Sequence, residues 1–376
     1  MKQRHWIGLL GLILVATTEN APAAAGGAAP ATAPAQPAAP PFYVDKANVM
    51  AFMDAAGAIQ PVQSPEQWKV RRQHILQAMQ QVMGPLPPAS AKVPLDVKVL
   101  SDRTGDGVVR RKITFASEKG DRVPAWLILP AQPKDPRARL PGVLCLHQTT
   151  AIGKDEPAGL GPKTNLAYGL ELARRGYVAL CPDYPNYGEY KFDAYAAGYA
   201  SATMKGIWNH MRAVDVLEAM AEVEPGRIGC IGHSLGGHNT LFLAAFDERV
   251  KAAVSSCGFT SFPKYYGGKL AGWSHAGYMP RIASSYGCDP RRMPFDFTEV
   301  LAAVAPRAVF VNAPLHDSNF DVSSVRDCLA AARGVYALLG AADKLAAIHP
   351  DSAHDFPPAA RQAACQFLDA VLKRKP

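Results

Sequence analysis

Residues 229–238 read GCIGHSLGGH. A short apolar run, RIGCI (227–231), leads into this stretch, and the helix-like HNTLFLAAF (238–246) follows it. A serine is thus set between glycines at a turn from strand to helix. A Gly-rich turn can be no more than a turn. In the pattern Gly-x-Ser-x-Gly, however, the serine occupies a sharp, strained bend, and the residues around it must be tiny for the chain to fit. Gly232, Gly236 and Gly237 meet that demand around Ser234. A serine hydroxyl is a weak nucleophile without a base to take its proton, so the reading depends on partners elsewhere in the chain.

Working outward, short apolar runs alternate with amphipathic helical patterns. VVRRKITFAS (108–117) and VPAWLILPA (123–131) read as paired antiparallel strands near a sheet edge. PGVLCLH (141–147), YVALCPD (177–183), RIGCIG (227–232), VKAAVSSCG (250–258), RAVFVNAP (307–314) and KLAAIHP (344–350) read as further strands. Helical patterns separate them: NLAYGLELARRG, MKGIWNHMRAVDVLEAMAEV, HNTLFLAAF and SSVRDCLAAARGVYALL, with PPAARQAACQFLDAVLKRK closing the chain. This alternation predicts the α/β class, a mostly parallel central sheet flanked by helices on both faces. In such sheets the working residues collect at the carboxyl ends of the strands, where Ser234 falls.

The partners are sought at the other strand ends. HPDSAHDFPP (349–358) offers His349 and His354. His354 lies in the loop between the last strand and the last helix and is the candidate base; His349, nearer the strand end, is assigned a structural or rim role. VFVNAPLHDSNFD (309–321) offers Asp317 and Asp321. Asp317 follows its strand more closely and is the candidate acid, which would hold the imidazole tautomer. Asp321 suits a helix cap. The order Ser234, Asp317, His354 is one of the known orders of such triads. An oxyanion site would take one backbone N–H from Leu235 and another from the loop after VLCLH, at Thr149 or Gln148.

The stretches GHSLGGH, LCLHQTT…GKDEP, YVALCPDYPNYGEY and SAHDFP together resemble the α/β-hydrolases, in the branch with dienelactone hydrolases and acetyl xylan esterases. The resemblance runs from about residue 110 to the C-terminus. It implies an eight-stranded, mostly parallel sheet and hydrolysis of short-acyl esters, acetyl esters of carbohydrate foremost, through an acyl-enzyme and without a cofactor. Two departures stand out. Dienelactone hydrolases proper carry cysteine where this chain has Ser234, and the His-Gly of the oxyanion loop is here His147-Gln148. An amidase or peptidase is the alternative enzyme reading, and a hydrolase-like binding protein without catalysis the alternative class.

The 376 residues carry 19% charged side chains and a formal charge of +8, with no long Lys/Arg run, so no nucleic-acid partner is expected. The basic MKQRH, the apolar WIGLLGLILVA and small residues after it read as a signal peptide over 1–25, too short in its apolar run for a membrane span. Secretion or a periplasmic location without stable membrane insertion is the expectation. An Ala/Pro-rich linker (26–41) would follow, then the hydrolase domain (42–376), opening with a helical extension (42–94). There, Ser64 as N-cap and Pro65 at the first helical position start a helix that Gly84 stops. No metal site is expected, because the histidines lack ligand spacing. Cys145, Cys181, Cys230 and Cys257 are read as buried thiols, and GKDEP (153–157) as a solvated loop. His233 is assigned a packing role, and His238, in the first turn of the following helix, a cap or packing role. Residues 260–297, rich in Gly and aromatics, form a lid-like insertion in which Tyr265, Trp273 and Tyr278 either stack on a sugar or pack the lid down.

Overall fold

The computed structural model describes residues 40–133, 135 and 137–373. The expected signal peptide, 1–25, and residues 26–39 of the expected linker lie outside them. The first elements are a small antiparallel hairpin, β1 (Ala51–Met53) and β2 (Ile59–Pro61), and helix α1 (Pro65–Met83). The hairpin adds two short strands ahead of the helix in the helical extension expected over 42–94. α1 begins as its sequence predicts, with Ser64 Oγ accepting the Gln67 N–H and Gln67 Oε1 accepting the Ser64 N–H. This reciprocal cap satisfies two donors that the first turn would otherwise leave free. Its apolar stripe, Trp68, Ile75, Met79 and Val82, is buried.

The remaining strands are β3 (Lys98–Gly105), β4 (Val108–Glu118), β5 (Asp121–Pro130), β6 (Leu140–Leu146), β7 (Val178–Pro182), β8 (Val223–His233), β9 (Val250–Ser256), β10 (Ala308–Asn312) and β11 (Leu345–Ile348). They form one nine-stranded sheet in the order β11-β10-β9-β8-β6-β7-β5-β4-β3. Pairing is parallel from β11 through β7 and antiparallel from β7 through β3. The ninth strand is the difference from the eight that the resemblance implied. β3 adds to the outer side of β4, is exposed along its length and carries Lys98, Asp102 and Arg103, charges that discourage pairing with another edge. By contrast, β7 and β10 are buried at every residue, as parallel strands covered on both faces must be.

Helices α2 (Tyr168–Arg174), α3 (Ala202–Ala219), α4 (Leu235–Phe246), the single turn α5 (Arg281–Ser284), α6 (Phe297–Ala303), α7 (Val322–Leu338) and α8 (Pro358–Leu372) complete the chain. One core joins α1, α3, α4, α6 and α7 on one face of the sheet, and a second joins α2 and α8 on the other. α3 stops at Ala219, short of the pattern read from sequence, because Met220 turns to ψ 135° and the chain straightens into β8 from Val223. α1 is locked to α6 by the ion pair of Arg71 and Glu299, both 1% exposed.

Candidate active site

β8 ends at His233 and α4 begins at Leu235, so Ser234 alone makes the turn. Its φ of 53° and ψ of −114° lie where non-glycine residues are rarely found. The turn is held by the Ser234 N–H donating to the Ser256 carbonyl at 2.8 Å, and by the Gly237 and His238 N–H groups donating back to the Ser234 carbonyl. Two glycines are dictated by contact. A Cβ on Gly236 would sit 1.9 Å from the Leu146 carbonyl oxygen, and one on Gly232 would sit 2.2 Å from that of Gly236. Ser234 is half-buried and lines a cleft of about 420 Å³ that His354 also lines.

The structure brings Asp317 and His354 together. His354 Nδ1 lies 2.9 Å from each Asp317 carboxylate oxygen, and the Asn319 and Phe320 N–H groups donate to Oδ1 at 2.8 and 3.1 Å. Burial pushes the Asp317 carboxyl up, but the His354 bond and the two N–H donors outweigh it and hold the group below its ordinary range. Asp321 is the N-cap of α7, accepting the Ser324 N–H at 3.0 Å. His349 bonds the Ala313 carbonyl through Nδ1 at 2.9 Å and stays out of the cleft lining. Among the described residues no hydrogen bond joins Ser234 Oγ to His354; such bonds tighten when substrate closes the site.

The His354 loop is tied to the strand ends by a network that sequence reading did not find. Asn312, the last residue of β10, donates from Nδ2 to Ser256 Oγ at 2.8 Å and to the Asp355 carbonyl at 3.0 Å. Ser256 Oγ in turn meets His233 Nδ1 at 2.9 Å, and the His233 ring packs 4.9 Å from that of His354. Burial, with His354 beside it, pushes the His233 imidazole down to about 3, so it is neutral at pH 7. The one available signal was a polar residue closing the apolar run AVFVN. Cys257, read correctly as a buried thiol, has a further position: its Sγ, an Asp317 oxygen and a His354 nitrogen lie within 4.8 Å of one another. The facing atoms of Asp317 and His354 already engage each other, and the thiol is pushed up by burial and by the Asp317 charge.

Leu235, Thr149 and Gln148 all reach the cleft. The Leu235 and Thr149 N–H groups donate to no other group among the described residues. GKDEP is not the solvated loop expected. Lys154 is fully buried, with Nζ 2.9 Å from Asp183 Oδ2 and its N–H 2.7 Å from Oδ1, and Glu156 accepts from Gln148 Nε2 at 2.9 Å. A buried ammonium needs such a partner, and the pair fixes this loop to the end of β7.

The 260–297 insertion forms one wall of the cleft. Trp273 is 2% exposed and packs edge-on against His238 and Phe262, so it holds the insertion down. Tyr265 and Tyr278 are half-buried in the lining, and Tyr278 Oη meets Thr149 Oγ1 at 2.9 Å. His238, at about 3 through burial, is a neutral part of this wall. The lining holds no Lys, Arg, Asp or Glu. Among the described residues, no helix is long and apolar enough to cross a membrane.

Sheet order, serine turn and His-loop geometry define the class: the chain has the α/β-hydrolase fold and is a carboxylic ester hydrolase. The model of the Dienelactone hydrolase family matches residues 127–269. YtaP of Bacillus subtilis (strain 168) is 24% identical over 305 residues, 77% of this chain and 96% of that protein. Carbohydrate esterase MZ0003, from an unknown prokaryotic organism, is 23% identical over 336 residues, 74% of this chain and 76% of its own. A glucuronoyl esterase from Solibacter usitatus has the same fold, with a TM-score of 0.67 at 21% identity over 88% of this chain and 98% of its own.

Proposed function

We propose that this chain is a serine esterase acting on short-acyl esters of carbohydrate, acetyl esters foremost. The observation that carries the reading is the sharing of one uncharged, aromatic-walled cleft by Ser234 and the Asp317–His354 pair. Ser234 Oγ attacks the ester carbonyl while His354 Nε2 takes its proton, and Asp317 holds Nδ1–H and steadies the imidazolium. The Leu235 and Thr149 N–H groups receive the developing oxyanion. His354 then returns the proton to the departing alcohol, leaving the acyl group on Ser234. Water, deprotonated by the same imidazole, releases the acid and restores the serine. Each step uses groups of the chain and water only.

The cleft supports a neutral acyl group, since no cationic side chain lines it to hold a carboxylate. A relative named as a carbohydrate esterase supports the sugar part of the reading. Acetate release from acetylated xylan fragments, compared between wild type and Ser234→Ala, tests it. Release that disappears in the variant is the expected result. A folded wild type that leaves acetyl groups untouched but cleaves a methyl ester of glucuronic acid would move the substrate class to sugar-acid esters. If neither ester is cleaved and a fluorophosphonate fails to label Ser234, the binding-protein reading takes over.

We also propose export, on the strength of residues 1–25. Expressed with its full sequence in a bacterial host, the protein should appear outside the cytoplasm with a new N-terminus in the small-residue stretch 20–27. Recovery from the cytoplasm with Met1 or Lys2 still in place, seen by intact mass, would refute this.

A further inference from the structure

We propose that His147 is a positioning residue for catalysis: its imidazole aims the Thr149 N–H at the oxyanion by holding the Gln148 carbonyl. This rests on the oxyanion reading above. His147 follows β6 directly and is 2% exposed. Its two ring nitrogens are both engaged, and the partners determine the tautomer. The Tyr184 backbone N–H can only donate, and it lies 3.0 Å from Nε2, so Nε2 carries the lone pair. Nδ1 therefore carries the proton and donates to the Gln148 carbonyl oxygen at 2.6 Å.

That single bond determines a direction. The peptide joining Gln148 to Thr149 is planar, and in a trans peptide the N–H points opposite to the C=O. Pinning the Gln148 oxygen toward His147 turns the Thr149 N–H the other way, and Thr149 lines the cleft with Ser234. Three further ties oppose rotation of this unit. Gln148 Nε2 donates to Glu156 Oε1 at 2.9 Å, Thr149 Oγ1 meets Tyr278 Oη at 2.9 Å, and the Tyr187 ring lies 5.7 Å from that of His147. Glycine is the common residue after the histidine of such loops, and it leaves the peptide free to turn. Here a glutamine stands there, and the histidine supplies the constraint. The loop at the end of β7 is thereby joined to the oxyanion through one imidazole.

The test is a pair of variants. Asparagine places an N–H donor where Nδ1 stands, whereas glutamine extends past it to the Nε2 position. His147→Gln is expected to lose roughly 10²-fold in kcat, about the effect of removing one oxyanion donor. KM should change little, and affinity for a boronic acid that forms a tetrahedral adduct on Ser234 should fall in parallel with kcat. His147→Asn is expected to keep kcat within about tenfold, because the donor to Gln148 survives. Equal losses in the two variants, or a loss confined to KM, would overturn the proposal, since packing alone would give either. Should His147→Gln not fold, a folded His147→Asn decides by itself: a fall of about 10² or more in kcat overturns the proposal. Thr149→Pro, which deletes the N–H, separates the two readings. If that variant folds and turns over at the wild-type rate, Thr149 is no oxyanion donor, whatever the His147 variants do.

Discussion

Replacing Ser234 by alanine is expected to lower kcat by roughly 10⁴ to 10⁶ while leaving the fold intact, because the other groups assist a nucleophile that is gone. The stability of a second variant carries equal information. Ser234 adopts φ 53° and ψ −114°, a conformation that costs a side-chain-bearing residue of order 1–3 kcal/mol. Glycine reaches it without steric penalty but gives up some stability through its freer unfolded chain. On balance Ser234→Gly should be inactive yet more stable than wild type by about 1 kcal/mol. Ser234→Ala should show no such gain, since its Cβ keeps the strain. Denaturant midpoints of the three proteins check this. A Ser234→Gly protein less stable than Ser234→Ala would mean that the turn stores no strain at this residue.

Asp317→Asn is expected to reduce kcat by about 10⁴, because an amide facing Nδ1 can present its NH₂ and favour the wrong imidazole tautomer. Asp321→Ala should change kcat by no more than a few-fold and cost about 1 kcal/mol as a lost helix cap. Reversal of the two would displace Asp317 from the site. The pH dependence of stability gives an independent readout. Although burial raises it, the Asp317 pKa in the folded protein lies below its ordinary value of 3.8, lowered by His354 and by the Asn319 and Phe320 N–H groups. A carboxyl depressed in this way stabilises the fold above its unfolded pKa, and that stabilisation is lost as pH falls through the folded value. The wild type should therefore lose stability more steeply than Asp317→Asn below about pH 4.

Much of the candidate site was legible because each proposed triad member sits in a local context that advertises it. Ser234 lies among glycines that contact alone demands, and Asp317 and His354 each follow an apolar strand by a few residues. Periodicity also found the parallel strands, because burial on both faces makes them continuous apolar runs. It missed β3, whose side chains all face water and whose place in the sheet comes from hydrogen bonds to β4. GKDEP was misread for a related reason. Composition assigns charge to the surface, yet Lys154 is buried because Asp183, 29 residues away in sequence, neutralises it.

The sequence by itself determined the α/β class, the position of the serine turn and the chain order of the site residues, since these follow from short-range patterns of apolar, small and polar residues. Only the tertiary structure decided how those residues are held: the Asn312–Asp355 tie on the His354 loop, the His147 bond to Gln148, and Trp273 packed under the insertion instead of open to a ligand. The physical reason is one of range. Local patterns report steric and hydrophobic demands within a turn or a strand, whereas a hydrogen bond between distant strand ends or a buried ion pair exists only after the sheet has brought its partners together.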